Sequence, residues 1–417
     1  MHSCRPGRGP RAVLCVVFLC CVSCGWEPCP GEHSRLGAAS LHVGADGQRH
    51  VLALHDVYST NGEYATADGA LYASQKAPDG WRKQRVLIGD GQSRVGHLQS
   101  LRLVLCDDDQ GFVYAVLNRG RPTNTVFEPE TPNEAWAYEP GAGWLAVSPG
   151  TLGADALRTL QYGQVGAAWT DAAGATRVLV GDHVFRLSGG KIDGASPLSC
   201  GADPCPEPYA RVTRADGKPE LVFVREAPAT KERSYEAAPL VCDGAGCRLE
   251  QAEALFTTPV PGNARDSERY LRLGSGQLVA VTSTSSKTSI ETAKGTLTAA
   301  DGDYRYAAVP LPVNAAGPAD DGLLVFLWRD DGAVQLFRGS PTGPGELLEL
   351  GQREPEHHQT ACGPDAAALA DRGGHLELDV ACGDGEHIVI FSVRLDTLEL
   401  SVASVRYQGN QPLGEIG

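Results

Sequence analysis

The chain has 417 residues, 50 of them Gly and 27 Pro, and a formal net charge of −15. With 21% charged and 42% apolar residues it has too few charges and too many apolar runs for disorder, and it is long enough for two ordinary domains or one large repeat ring. An acidic balance without a Lys/Arg block repels phosphate backbones and argues against a nucleic-acid partner.

In chain order, residues 1–23 read as an export signal. Arg5, Arg8 and Arg11 form a basic n-region, and Ala12 to Val22 an apolar run short for a membrane span. A membrane-anchor helix is the alternative reading of that run. The ending Cys21-Val22-Ser23-Cys24 resembles a bacterial lipobox, with Cys at position 21 where Leu is usual. The resemblance implies an acylated Cys24, whose several chains would give a stable anchor. Residues 24–37, rich in Pro, Gly and polar side chains, are then expected to be a tether.

Residues 38–410 carry short strands rich in Val, Leu, Tyr, Phe and Trp, and 411–417 are expected to be a tail. Eleven Asp-Gly dipeptides punctuate the chain, from Asp46 to Asp384. This pair suits tight hairpins, because Gly has no Cβ and Asp tolerates the left-handed region. Only Asp155 to Gln161 reads as a helix, of two turns at most. The fullest unit is Asp68 to Gly91. It predicts a strand at Ala70–Ala73, a turn at Pro78-Asp79-Gly80, and a strand at Val86–Ile88 after Trp81.

Similar strand–turn–strand units begin near His50, Leu101, Gln164, Ala210, Tyr270, Leu323 and Ala366. One such unit cannot bury both faces alone, so neighbours must stack around an axis. The expected fold is an all-β β-propeller of seven blades, with six or eight left open and two stacked sandwiches as the alternative. Leu41 to Gly44 is expected to close the ring against Glu399 to Tyr407, which would remove exposed edges.

The pattern G-x-L-Y-x-(x)n-D-G-W-x-x-x-x-V resembles the repeats of bacterial sialidase-like (BNR or Asp-box) propellers. Asp79, Gly80 and Trp81 keep part of that box but lack its Ser and its spacing, and Glu139 to Trp144 is a looser copy. The resemblance implies the propeller fold. A sialidase-like activity would need three Arg on a carboxylate, a Tyr activated by a Glu, and an acid. Arg119, Arg121, Glu268 and Tyr270 are the candidates; set against this, loop Arg residues pair with surface acids and a Tyr at a strand start is ordinary packing. No nucleophile elbow, zinc-protease or phosphate-loop motif occurs.

Eight cysteines follow Cys24, an even set that fits an oxidising compartment. Hairpin symmetry pairs Cys242 with Cys247, Cys200 with Cys205, and Cys362 with Cys382, and Cys29 with Cys106 remains by elimination. Without a CxxC pair after the signal, a zinc site is not expected. Two other clusters carry ligand-type side chains. His357 and His358, beside Glu354 and Glu356, would need a bent loop and a third ligand such as His375 or His387; a polar loop is the simpler reading. Asp107 and Asp109 in Cys106–Gly111 suggest calcium but lack the D-x-D-x-D-G spacing, and an acidic hairpin turn is the alternative.

The expectation is therefore a non-catalytic cell-envelope lipoprotein of a Gram-negative bacterium, outer-membrane or periplasmic, or else a secreted protein. It would need no cofactor and would offer a ring face to a protein or polysaccharide partner. The alternatives are a glycan-cleaving propeller enzyme and a calcium-stabilised adhesin.

Overall fold

The computed structural model describes residues 32–406 except 45–46, 60–64, 76–81, 87–101, 119–132, 140–142, 164, 172, 202–209, 215–217, 228–231, 244–245, 260–266, 294, 313–321, 330, 341–344, 353–359 and 385–386. Among these residues the fold is nearly all β, with one helix, α1 (Ala154–Tyr162). Apart from one short extra strand, Gly246–Leu249, the described strands pair in chain order into antiparallel meanders of four. Meander I spans 32–86, II 102–146, III 165–199, IV 210–259, V 267–301, VI 305–352 and VII 360–406.

The first strands of the meanders are Glu32–Val43, Arg102–Asp107, Val165–Thr170, Ala210–Arg214, Ser267–Arg272, Arg305–Pro310 and Thr360–Asp371. Each lies against the first strand of the next meander, and Thr360–Asp371 lies against Glu32–Val43, which completes a cycle. The arrangement is propeller-like and does not divide into two stacked sandwiches. Alternation of direction puts the first-to-second and third-to-fourth turns at one end of every sheet, here the turn face. The second-to-third turns and the links between meanders belong to the opposite face.

Period-two alternation explains the core. Strands such as Leu323–Trp328 and Leu278–Thr284 are apolar on both sides, as strands covered on both faces must be. Their side chains fill seams between neighbouring meanders. Leu271, Val281, Tyr306 and Val325 fill seam V/VI, and Phe326, Trp328, Val389 and Phe391 fill VI/VII. Ala39, Val51, Ala381 and Ile390 fill VII/I. Apolar clusters of the same kind fill II/III, III/IV and IV/V.

One hairpin turn recurs on the turn face. In Gly44–Gln48, Asp108–Phe112, Asp171–Ala175 and Leu273–Gln277 the first N–H donates to the fifth carbonyl, and the fourth N–H donates to the first carbonyl. The fourth residue is Gly47, Gly111, Gly174 or Gly276, at φ between +77° and +85°. This is a three-residue loop ending in a left-handed residue, which explains why Gly recurs there.

Several expectations change. The first strand begins at Glu32, inside the stretch read as a tether, and runs as one unit to Val43. It heads its own meander and pairs in parallel with Thr360–Asp371 at Ala39–Cys362. The first and last described meanders therefore meet first strand to first strand. The C-terminal strand Leu400–Arg406 is the outer edge of meander VII and does not pair with Leu41, although its Val405 shares the apolar cluster at VII/I with Leu41. The units expected at His50 and Leu323 start on second strands, because strong turn signals flank them while the first strands lack such signals. The pair read in Asp68–Gly91 is longer on one side and shifted on the other, as Ala65–Gln75 and Arg82–Val86.

The disulfides Cys242–Cys247 and Cys362–Cys382 form between directly opposed residues, as hairpin symmetry requires. Cys200 is also disulfide-bonded, while Cys205 lies outside the described residues. The Cys29–Cys106 pairing needs correction. Cys106 is a free, buried thiol 3.3 Å from Thr170 Oγ1, held by the first strand of meander II against meander III. Cys29 lies outside the described residues. No helix among the described residues is long and apolar enough to cross a membrane.

Candidate functional site

Seam I/II carries a polar and aromatic row among its described residues. Its described contacts are imidazole, phenol, indole and carboxylate. The turn Gly44–Gln48 sets His42 directly opposite His50 on adjacent strands, with ring centroids 6.2 Å apart. His50 Nδ1 lies 2.7 Å from the Tyr72 hydroxyl on the third strand. Tyr72 packs on Tyr138 at 4.9 Å and edge-on to Trp144 at 5.0 Å, both from the outer strands of meander II. At the inner end His42 Nε2 is 2.9 Å from Asp107 Oδ1, the last residue of meander II's first strand. The row thus runs from the inner strands to the outer rim.

The electrostatics follow from burial and partners. Burial pushes the Asp107 carboxyl up, but contact with His42 and the field of His50 more than offset this and hold it below the usual carboxylate range. Burial and the neighbouring Tyr138 keep the Tyr72 phenol protonated far above its ordinary range. Tyr72 can therefore donate to His50 Nδ1 when that ring carries its proton on Nε2. His42 and Asp107 keep 21% and 23% of their side-chain surface exposed, so the inner end of the row meets solvent. Chemically the row can hold a ligand by stacking and hydrogen bonds, or move a proton between Asp107 and His42.

Two other polar clusters are locks. Asp379, fully buried in meander VII, takes both Nε (2.7 Å) and an amino group (2.6 Å) of Arg49 from meander I, and accepts from Ser392. Glu377 bridges Arg49 and Arg372 beside it. At seam IV/V the fully buried Glu220 accepts from Arg214 of its own meander and from Arg272 of the next, which also reaches Glu253. Every charge in these clusters is matched, and they hold meanders together.

Of the residues singled out in the sequence, Asp107 joins the row. Its neighbours diverge from it. Asp108 spends its oxygens on the N–H groups of Gln110, Phe112 and Gly189 and on the Tyr114 hydroxyl, and Asp109 packs on Gly174. The acidic turn therefore does not gather its carboxylates around one point. Tyr270 is buried against Tyr235, and Arg269 lies over the Tyr306 ring. His375 pairs with Asp396 and is not brought to a metal cluster among the described residues. Cys24, Cys29, Cys205, His357, His358, Arg119, Arg121 and Trp81 lie outside the described residues, as does the side chain of Glu268. His42, His50 and Tyr72 were not anticipated. A hairpin centred on Asp46-Gly47 would have set His42 opposite His50, but nothing local announces Tyr72 or meander II.

No family model and no curated protein matches the chain. Solved structures give low-identity likenesses. A lectin, BP39L, from Burkholderia pseudomallei shares 13% identity over 93% of this chain and all of its own, with TM-score 0.43. AofleA from Arthrobotrys oligospora shares 12% over 93% of this chain and 92% of its own, with TM-score 0.39. An α-L-arabinanase from Penicillium chrysogenum shares 12% over 89% of this chain and 93% of its own, with TM-score 0.38. The fold assignment rests on the strand pairing itself.

Proposed function

We propose that this protein is an exported, non-catalytic seven-bladed propeller that presents a rigid ring to an envelope polysaccharide or protein, with seam I/II as a ligand contact. The carrying observation is the cycle of first strands locked by interblade pairs, which supports a preformed surface of the kind that binds without a large ordering cost. Opposed cysteines bonded in hairpins support an oxidising compartment. The lipobox-like ending at Cys24 supports attachment to a bacterial membrane through lipid. The test is a glycan array together with in-situ crosslinking, using wild type, Trp144→Ala and Asp107→Asn. Saturable binding lost in both variants supports the reading, and binding indifferent to both rejects the seam. Intact mass of wild type and Cys24→Ala tests the anchor: a lipid mass on the wild type alone is expected.

The second reading is a glycan-cleaving enzyme. It is favoured by one observation, the partly exposed Asp107–His42 pair with its low carboxyl. It requires turnover of some member of a glycan panel, abolished by Asp107→Asn.

A further inference from the structure

Three seams are joined by backbone pairing between named parallel strands. At VII/I the pair is Ala39 with Cys362. At III/IV the pairs are Leu198 with Cys247 and Ser199 with Arg248. At IV/V they are Val212–Tyr270, Thr213–Leu271 and Arg214–Arg272. At the first two, a paired residue is a disulfide cysteine. Cys200, one residue beyond the Ser199–Arg248 pair, is disulfide-bonded as well. At the third seam the buried Glu220–Arg272 pair joins the two meanders with no disulfide among the described residues, whereas at VII/I the buried Arg49–Asp379 pair stands beside the disulfide-bearing strand.

The backbone is weak where the cysteines sit. The antiparallel register in meander VII holds at Cys362, which receives Ala39, and breaks immediately after it, between Cys362 and Ala367, so regular pairing ends next to the docking point. The third strand of meander IV, Glu232–Asp243, pairs with Glu220–Ala227 and serves two further partners. Its first half pairs with Glu253–Pro259, and its end folds back on the four-residue strand Gly246–Leu249. That short arm leaves its own meander to cover the outer edge of Lys191–Ser199 in meander III. A two-stranded ribbon of this length is marginal without help. Its covalent closure is Cys242–Cys247.

We propose that the two disulfides are seam staples: each fixes the strand edge on which a different meander docks, which makes ring closure at VII/I and III/IV depend on oxidation. A dithiol reductant breaks each S–S bond by two exchanges. The protein gains two thiols, and the reductant's two sulfurs lose two electrons and become its own disulfide. Seam IV/V, which has no disulfide among its described residues, does not respond, and at VII/I the Arg49–Asp379 pair remains, so reduction there loosens the strand edge without removing the ion pair.

The experiment is hydrogen exchange by mass spectrometry on the full chain. It compares wild type, Cys362→Ala/Cys382→Ala, and Cys242→Ala/Cys247→Ala. The first variant should speed exchange in Glu32–Val43, more than 300 residues away in sequence, by about tenfold or more. The second should do the same in Lys191–Ser199 of meander III. Ser267–Arg272 should stay protected in both. Acceleration confined to the cysteine-bearing hairpins overturns the proposal, and so does equal acceleration at seam IV/V, including through failure to fold. Wild type treated with dithiothreitol, with new thiols counted by alkylation, should reproduce both local patterns. Resistance of the two bonds to the reductant overturns the dependence on oxidation.

Discussion

Glu220 and Asp379 are carboxylates with no exposed surface, each gripped by an Arg from the neighbouring meander. Removing either carboxylate takes away the only fully buried counter-charge of its Arg, leaving Arg272 with the exposed Glu253 and Arg49 with Glu377. Glu220→Ala and Asp379→Ala should each therefore cost about 3–5 kcal/mol in urea unfolding. The pair Arg225–Glu236, whose Arg is exposed and whose Glu is half-buried, is the contrast, and Arg225→Ala should cost less than about 1 kcal/mol. Asp107 gives a pH prediction. Its folded pKa lies below its unfolded value of about 3.9. Its contribution is present above that value and is lost as pH falls through the folded pKa. Asp107→Asn should flatten that part of the acid-unfolding profile, and an unchanged profile would remove the His42 contact from the account. None of these partnerships was legible in the sequence. Arg49 and Asp379 are 330 residues apart, and only the ring brings them together.

At the scale of elements, hairpins were legible and their partners were not. Asp46-Gly47 marks a turn because Gly47 sits at φ +77°, and cysteine spacing gave two pairings because hairpin symmetry is local. Cys106 fits no such symmetry and proved to be a core thiol. The recurring turn offers a test. Gly174 and Gly276 share the left-handed conformation, at φ +78° and +85°. A Cβ at Gly276 meets open space, whereas one at Gly174 falls 2.6 Å from the Asp109 side chain across seam II/III. Gly276→Ala should cost about 1–2 kcal/mol from backbone strain alone. Gly174→Ala should cost measurably more, by thermal unfolding, because meander II must also retreat. Equal costs would show that Asp109 yields freely.

At the scale of the whole molecule, the all-β class and the repeat could be read from turn signals and alternating strands. The register of the ring could not. Meander VI hides its first strand, Arg305–Pro310, behind the long connection that precedes Leu323, and meander I starts before its turn signals do. The parallel pairing of Glu32–Val43 with Thr360–Asp371 leaves no trace in either segment alone. It makes a truncation informative. Removing residues 1–43 strips the cover from the inner strand of meander VII. An uncovered strand edge recruits other chains. The truncated protein should self-associate in size-exclusion chromatography with light scattering, while the full chain should not associate through this edge.

The closing pair has a consequence in time. Ala39 cannot meet Cys362 until the last meander exists, and 323 residues separate them. At about 5–20 residues per second, the first meander waits roughly 15–65 s for its neighbour during synthesis. Throughout that interval its inner edge is open to any extended segment nearby, including a second nascent copy. A ring that closes on its last-made part therefore leans on whatever shields unfinished chains, and swapped dimers joined at seam VII/I are the misfolded form it should produce when that shielding fails.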